Sequence, residues 1–136
     1  MIMNEGFFAL DTNILIYLES ADARKRQIAE TLLSCDPVIS AQVISEFINV
    51  TRRLRNITKN QLIAEAVALF RHCPIAPTQH STLEMAADLI HHYDFQIFDA
   101  IVVASALESQ CSFLYSEDMY HQLHVNNSLV IINPFK

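Results

Sequence analysis

Apolar and polar positions along this chain switch repeatedly between a strand-like run and a helical period. Phe7–Leu10 is a short apolar run halted by Asp11-Thr12-Asn13, after which Ile14-Leu15-Ile16-Tyr17-Leu18 resumes. This pattern predicts a buried strand over 7–10 ending at Asp11. A helix should begin near Asn13, since the side-chain oxygens of Thr12 and Asn13 can accept free helix N–H groups. Residues 21–33 carry Ile28, Leu32 and Leu33 at helical spacing and stop before Asp36-Pro37. Val38-Ile39 reads as a short buried strand. Ser40 then caps a helix over 41–54 with the stripe Val43, Ile44, Phe47, Ile48 and Leu54. Thr58 and Gln61 have capping-box spacing at the head of a helix over 59–71.

The second half repeats the alternation. Pro74 and Pro77 bracket Ile75-Ala76 as a third strand, and Thr78 or Ser81 opens a helix reaching Tyr93. Phe95 to Phe98 reads as a turn, with Asp99 capping or beginning a helix over 100–109. That helix is apolar nearly all round and should be central. Cys111–Tyr115 is a fourth strand ending at Ser116-Glu117-Asp118; residues 119–128 read as irregular; Leu129–Ile132 is a fifth strand closed by Asn133-Pro134-Phe135. The predicted fold class is α/β, a three-layer sandwich around a central parallel sheet of four to five strands, forming one domain over 1–136.

At 51% hydrophobic residues and a mean hydropathy of +0.22, the chain is apolar for its 136 residues. Small domains have much surface to cover, so this points to apolar surface kept for a partner. No apolar run approaches the roughly 20 residues that cross a bilayer. The first residues lack the basic flank and cleavage site of a signal peptide, and the expected setting is the cytoplasm, away from membranes. Cys35, Cys73 and Cys111 are odd in number and widely spaced, as expected of reduced, mostly buried thiols. The single glycine, Gly6, excludes a P-loop and a dinucleotide fingerprint. Net charge is −6, yet seven of the nine basic residues lie from Arg24 to Lys59 among three acids, so that segment is +4 and the remainder −10. The asymmetry suits a basic face carrying Arg24, Lys25, Arg52, Arg53 and Arg55, or simply two solvated helix faces.

Topology places the acids. In right-handed βαβ units, a strand's carboxyl end and the next helix's amino end share one sheet edge, where ligands bind. Asp11 follows the first strand, Glu46 lies early in the helix after the second, Asp99 begins the helix feeding the fourth, and Asp118 follows that strand. An aspartate at the position of Asp11 can also serve merely as a helix cap. Four converging carboxylates repel one another, and a divalent cation removes that penalty. Oxygen-only donors suit Mg²⁺, or Mn²⁺, rather than Zn²⁺. Such a site fits metal-assisted phosphodiester hydrolysis.

Taken in order, Phe8-Ala9-Leu10-Asp11-Thr12-Asn13, Ser45-Glu46-Phe47, Phe98-Asp99-Ala100-Ile101-Val102-Val103-Ala104 and Ser116-Glu117-Asp118 resemble the PIN-domain signature, and Ile132-Asn133-Pro134-Phe135 resembles the tail of the VapC toxins. The resemblance covers nearly the whole chain. It implies a metal-dependent endoribonuclease, the toxin of a toxin–antitoxin pair, leaving a 5′-phosphate and a 3′-hydroxyl. It implies Asp11 and Asp99 as principal metal ligands, Glu46 and Asp118 as the remaining acids, and Asn13 and Ser116 as residues orienting them. It also implies a homodimer and a small antitoxin that inserts an apolar segment. The chain departs from many relatives in lacking a glycine soon after Asp118, reading Met119-Tyr120-His121-Gln122, and Glu117 is an alternative to Asp118.

Rival classes remain. An RNA-processing nuclease outside a toxin–antitoxin system would share the acids; a catalytically silent binding module would be expected to have lost one. A phosphatase or receiver-like domain needs a lysine after a late strand, which is absent here. His121 with His124, and His91 with Asp94, lack zinc-type spacing and read as surface or structural residues. Neither Ser45 nor Ser116 has a histidine partner of the hydrolase kind.

Overall fold

The computed structural model describes residues 7–136. Three strands run parallel: β1 (Phe7–Leu10), β4 (Cys111–Tyr115) and β6 (Leu129–Ile132), with β4 in the middle. Leu10 lies opposite Tyr115, and Tyr115 opposite Ile132. A two-residue strand, β5 (His124–Val125), adds antiparallel to β6 and completes the order β1-β4-β6-β5. The short strands β2 (Ile39–Ser40) and β3 (Ile75–Ala76) form a separate parallel pair. This pair is tied to β1 by the Ala9–Val38 bridge, where Val38 N–H donates to the Phe8 carbonyl at 2.9 Å.

The expected parallel sheet is therefore four-stranded, with one antiparallel edge and a short annexed pair. Pro37, Pro74 and Pro77 account for the brevity of β2 and β3, since each removes a backbone donor beside them. Strand β5 falls within the segment expected to be irregular. Asn126 and Asn127 both take positive φ, 51° and 57°, and Ser128 N–H closes on the Val125 carbonyl at 3.1 Å. Two left-handed residues in such a turn match the right-handed twist of a hairpin.

Helices cover the sheet: α1 (Thr12–Ile16), continued by a 3-10 turn over Tyr17–Glu19, then α2 (Ala23–Leu33), α3 (Ala41–Leu54), α4 (Lys59–Leu69), α5 (His80–Tyr93) and α6 (Ile97–Glu108). Ser40 caps α3, and the Thr58–Gln61 capping box starts α4. Helix α6 is central, with Ala100, Val102, Val103, Ala104 and Ala106 buried. With Leu10, Ile14, Leu15, Ile39, Val43, Leu114, Leu129 and Ile131 they form one core. Each fully buried Leu or Ile contributes about 1.5–3 kcal/mol.

Three helix starts differ from expectation, and the first helix takes the capping alternative open to Asp11. Asp11, rather than Thr12 or Asn13, caps α1. Asp22 caps α2. Gln79, not Thr78 or Ser81, caps α5, and its N–H donates to Thr82 Oγ1 at 3.0 Å. Gln96 caps α6 by accepting from the N–H groups of Phe98 and Asp99, so the helix begins within the expected turn and Asp99 lies in its first turn. Of the thiols, only Cys111 is buried; Cys35 is exposed. Burial pushes the Cys111 thiol up to about 12, which keeps it unreactive. No helix among the described residues is long and apolar enough to cross a membrane.

Candidate active site

Asp11 is where the site begins. Strand β1 ends there, and parallel pairing with β4 sends Asp11 N–H to the Tyr115 carbonyl at 2.9 Å. The carboxylate is nearly buried, at 6% exposure. One oxygen, Oδ1, accepts from Thr12 N–H at 2.8 Å and caps α1. The other, Oδ2, accepts from Ser116 Oγ at 2.8 Å and Asn13 Nδ2 at 3.2 Å. The capping role and the candidate site role thus occupy different oxygens of one carboxylate.

The loop after β4 supplies the facing side. Ser116 is fully buried because its N–H continues the β4–β6 ladder to the Ile132 carbonyl at 2.9 Å. Its hydroxyl also accepts from Met119 N–H at 3.3 Å and so shapes the loop carrying Asp118. Asn13 spans the gap. Its Nδ2 lies 3.2 Å from Asp118 Oδ2, and its Oδ1 accepts from Glu117 N–H at 3.0 Å. The glycine-free loop turns with Gln122 at φ 67°, its N–H on the Ile131 carbonyl at 2.7 Å.

Glu46 and Asp99 approach from α3 and α6, and their charges are felt across the site. Burial pushes the Asp99 carboxyl up to about 6, and the charges of Asp11 and Asp118 add to the rise. Burial also raises Glu46; the charges of Asp11 and Asp99 push it further, against a hydrogen bond from Gln42. Asp11 is raised by burial in spite of its Ser116 and Thr12 hydrogen bonds, with Asp118 contributing. All four acids therefore share one electrostatic neighbourhood.

Among the described residues, no basic side chain forms an ion pair with any of the four; the ion pairs are Lys25–Glu117, Arg55–Glu19 and Arg55–Glu65. Nor are three acidic, histidine or cysteine side chains gathered tightly enough there to form a ready-made cation cage. Oxygen donors whose charge no ion pair among the described residues offsets suit a hard divalent ion that keeps part of its water. Mg²⁺ binds in this way, through one or two carboxylates.

The basic candidates divide. Arg24 donates to the Phe135 carbonyl at 2.9 Å, Lys25 pairs with Glu117 at 2.9 Å, and Arg55 pairs with Glu65 at 3.1 Å. Arg52 and Arg53 instead lie exposed on α3, bonded to Asn49 alone among the described residues. With Gln42, Glu46 and Phe98 they line an open groove of about 610 Å³. Phe98, half exposed and adjacent to Asp99, was not singled out from the sequence, nor was Tyr17, whose hydroxyl holds Glu117 at 2.5 Å. Tyr17 looks like an ordinary core aromatic in the hydrophobic pattern, and Phe98 closes a segment that reads as a turn. His121 has a structural partner, its Nδ1 accepting from Asn133 N–H at 2.9 Å.

A second, larger groove of about 750 Å³ runs between the α1 segment, α3 and α4, lined by residues including Leu15, Tyr17, Phe47, Leu54, Leu62 and Leu69. Leu54 is 70% exposed on its wall.

Comparison with known proteins gives a consistent picture. Among curated protein sequences no match is found. Solved structures of similar fold include Mycobacterium tuberculosis VapC20, described as a sarcin-ricin-loop-cleaving toxin, at 19% identity and TM-score 0.65 over 82% of this chain and 89% of that one. A toxin–antitoxin complex from Klebsiella pneumoniae matches at 21% identity and TM-score 0.70, covering 93% and 96%. FitAcB from Neisseria gonorrhoeae matches at 17% and 0.69, covering 95% and 99%. The PIN-domain family model matches residues 8–123, nearly the whole chain, and the chain belongs to the PIN-domain family.

Proposed function

We propose that this chain is a metal-dependent endoribonuclease and the toxin of a toxin–antitoxin pair. What supports this reading is the mutual charge effect among Asp11, Glu46, Asp99 and Asp118, none of them in an ion pair among the described residues. Asp11 and Asp99 would hold Mg²⁺ or Mn²⁺, with Glu46 and Asp118 completing the shell directly or through water. The ion supplies charge stabilisation at the scissile phosphate and lowers the pKa of a water nucleophile. Ser116 and Asn13 keep the Asp11 carboxylate turned toward the site, and Asn13 restrains Asp118. A carboxylate of this set would take the proton of the attacking water.

Single-stranded RNA would reach the acids along the groove of Arg52, Arg53 and Phe98. The two guanidiniums hold phosphates, and Phe98 offers a ring to a base. The larger apolar groove would take an apolar segment of a small antitoxin. Supporting this are the exposed leucine on its wall and the toxin–antitoxin assemblies among structures of the same fold. A homodimer belongs to the same proposal and is read by sedimentation.

The test is cleavage of a mixed RNA pool in Mn²⁺ by the purified chain, beside Asp11→Asn and Asp99→Asn. Cutting by the parent and none by either variant is expected. Cutting that persists in both variants overturns the reading.

A further inference from the structure

The loop carrying Asp118 is held from its outer side by residues to which the mechanism gives no part. The Glu117 carboxylate accepts from Tyr17 Oη at 2.5 Å and from Lys25 Nζ at 2.9 Å. Lys25 also donates to Tyr17 Oη at 3.2 Å. Its ammonium lies 4.7 Å from the Tyr17 ring centre and 5.2 Å from that of Phe135. Those two rings meet edge to face at 4.9 Å. A cation over two aromatic faces with a carboxylate beside it is well held. The Glu117 backbone faces the other way, its N–H on Asn13 Oδ1 at 3.0 Å. Glu117 therefore joins α2 and the 3-10 turn to the residue that touches both Asp11 and Asp118.

We infer that Tyr17, Lys25 and Glu117 form a latch whose task is to position Asn13 and Asp118. All three are positioning residues, so Glu117 is not a ligand and Lys25 is not a phosphate contact. This rests on the nuclease reading for what the site does, but the latch itself can be measured without RNA. The physical need is plain. Asp118 is exposed, and its charge acts against Asp11 and Asp99, so repulsion drives its loop outward. Among the described hydrogen bonds, its side chain has Asn13 alone. The neighbouring Glu117 is pinned in place by a cation it neutralises, which limits how far the loop can move. Tyr17 lies in the larger groove as well, so one side chain belongs to both surfaces.

Three variants of the full chain decide this: Lys25→Met, Glu117→Gln and the conservative Lys25→Arg. Thermal melts identify any variant that fails to fold, and the near-isosteric Glu117→Gln keeps the test open if Lys25→Met does. Hydrogen exchange of the 117 and 119 amides, bonded to Asn13 Oδ1 and Ser116 Oγ, is followed without metal, Mn²⁺ binding by calorimetry, and cleavage by KM and kcat. Lys25→Met and Glu117→Gln are each expected to speed exchange at those amides, weaken Mn²⁺ binding about tenfold and lower kcat about tenfold, with KM within about twofold. Lys25→Arg should stay near the parent. A higher KM with unchanged kcat for Lys25→Met, together with a silent Glu117→Gln, would assign Lys25 to RNA and overturn the latch. If the parent cuts no RNA, the nuclease reading fails by itself; the latch then stands on faster exchange and weaker Mn²⁺ binding in the variants and falls if both are unchanged.

Discussion

The Asn13 amide nitrogen lies 3.2 Å from Asp118 Oδ2 across 105 positions of sequence, and at the same distance from Asp11 Oδ2. One neutral donor thus sits between two carboxylates that repel each other. A third carboxylate there would add to the repulsion, and an alanine would let it act.

Asn13→Ala should therefore cut RNA about 10–100-fold more slowly, the usual cost of losing a residue that orients metal-binding side chains. Asn13→Asp should bring a similar loss and lower the melting temperature of the metal-free chain, through like-charge repulsion. Cleavage rates and melts on both variants check this. Parental rates in Asn13→Ala would show that Asp118 needs no restraint from Asn13.

Asp11 and Asp99 differ in what else they do, so their variants should differ in stability. The Asp99 side chain caps nothing, since Gln96 serves the start of α6. Asp99→Asn should abolish cutting while leaving a folded chain. Asp11 also accepts from Thr12 N–H and Ser116 Oγ. Asp11→Ala should abolish cutting and also destabilise by about 1–3 kcal/mol, from a lost cap and a buried hydroxyl without its acceptor. Denaturant unfolding of the two variants separates these effects.

The same contrast shows what was legible in the sequence. Asp11 stands at the end of an apolar run, Glu46 at the margin of a helical stripe, and Asp118 just past another apolar run, so periodicity alone placed them at strand ends and helix starts. The capping residues were harder to find. Gln96 and Gln79 are not among the strong capping residues, and Phe95 to Phe98 carries no periodic signal that separates a turn from a first helical turn. Strand β5 was missed because His124-Val125 lacks the proline-flanked apolar residues that marked the equally short β2 and β3, although Asn126 and Asn127 are residues that tolerate the positive φ of such a turn. The Tyr17–Lys25–Glu117 contacts had no local signal at all. They join residues up to 100 positions apart and depend on how α2 packs against the loop after β4.

Acidity should govern the stability of the metal-free chain. Asp99 has its folded value raised to about 6 from an ordinary 3.8. Between these values the folded chain binds more protons than the unfolded one, so stability falls as pH rises through that window and stays lower above it. Asp11 and Glu46 are displaced in the same direction. Glu117 runs opposite: burial would raise it, but Tyr17 and Lys25 bring it below the ordinary range, so its contribution is lost as pH falls. With chelator present, the chain should melt a few degrees higher at pH 5 than at pH 7.5. Asp99→Asn should flatten that difference, with a gain at pH 7.5 of about 1 kcal/mol after solvent screening. Mn²⁺ at 100 times its Kd should stabilise the parent by about 2.7 kcal/mol at pH 7.5. A melting temperature that rises from pH 5 to 7.5 in chelator would contradict the raised acid values.

Arg52 and Arg53 should act on binding rather than on chemistry. Replacing both with alanine is expected to raise KM about tenfold and leave kcat within about twofold. Each phosphate contact on a single strand contributes about 0.7 to the salt slope, so the dependence of log kcat/KM on log salt should become shallower by about 1.4. Removing two cations from the last turn of α3 should cost no more than about 1 kcal/mol of stability each. An unchanged salt slope would place the RNA elsewhere.

Leu54 tests the larger groove. It is 70% exposed on the groove wall, where it loses nothing to the core if changed. Leu54→Glu puts a charge onto the wall of a mostly apolar groove whose Glu65 is already paired with Arg55. An acid in the last turn of α3 costs the fold up to about 1 kcal/mol. A partner segment that buries Leu54 would lose far more, because it must desolvate the new carboxylate. The variant should bind its antitoxin at least about 100-fold more weakly, or about 2.7 kcal/mol, and should escape inhibition while cutting RNA at the parental rate. Calorimetry with the purified partner and an inhibition curve measure the two halves. Parental affinity in Leu54→Glu would place the antitoxin on another face.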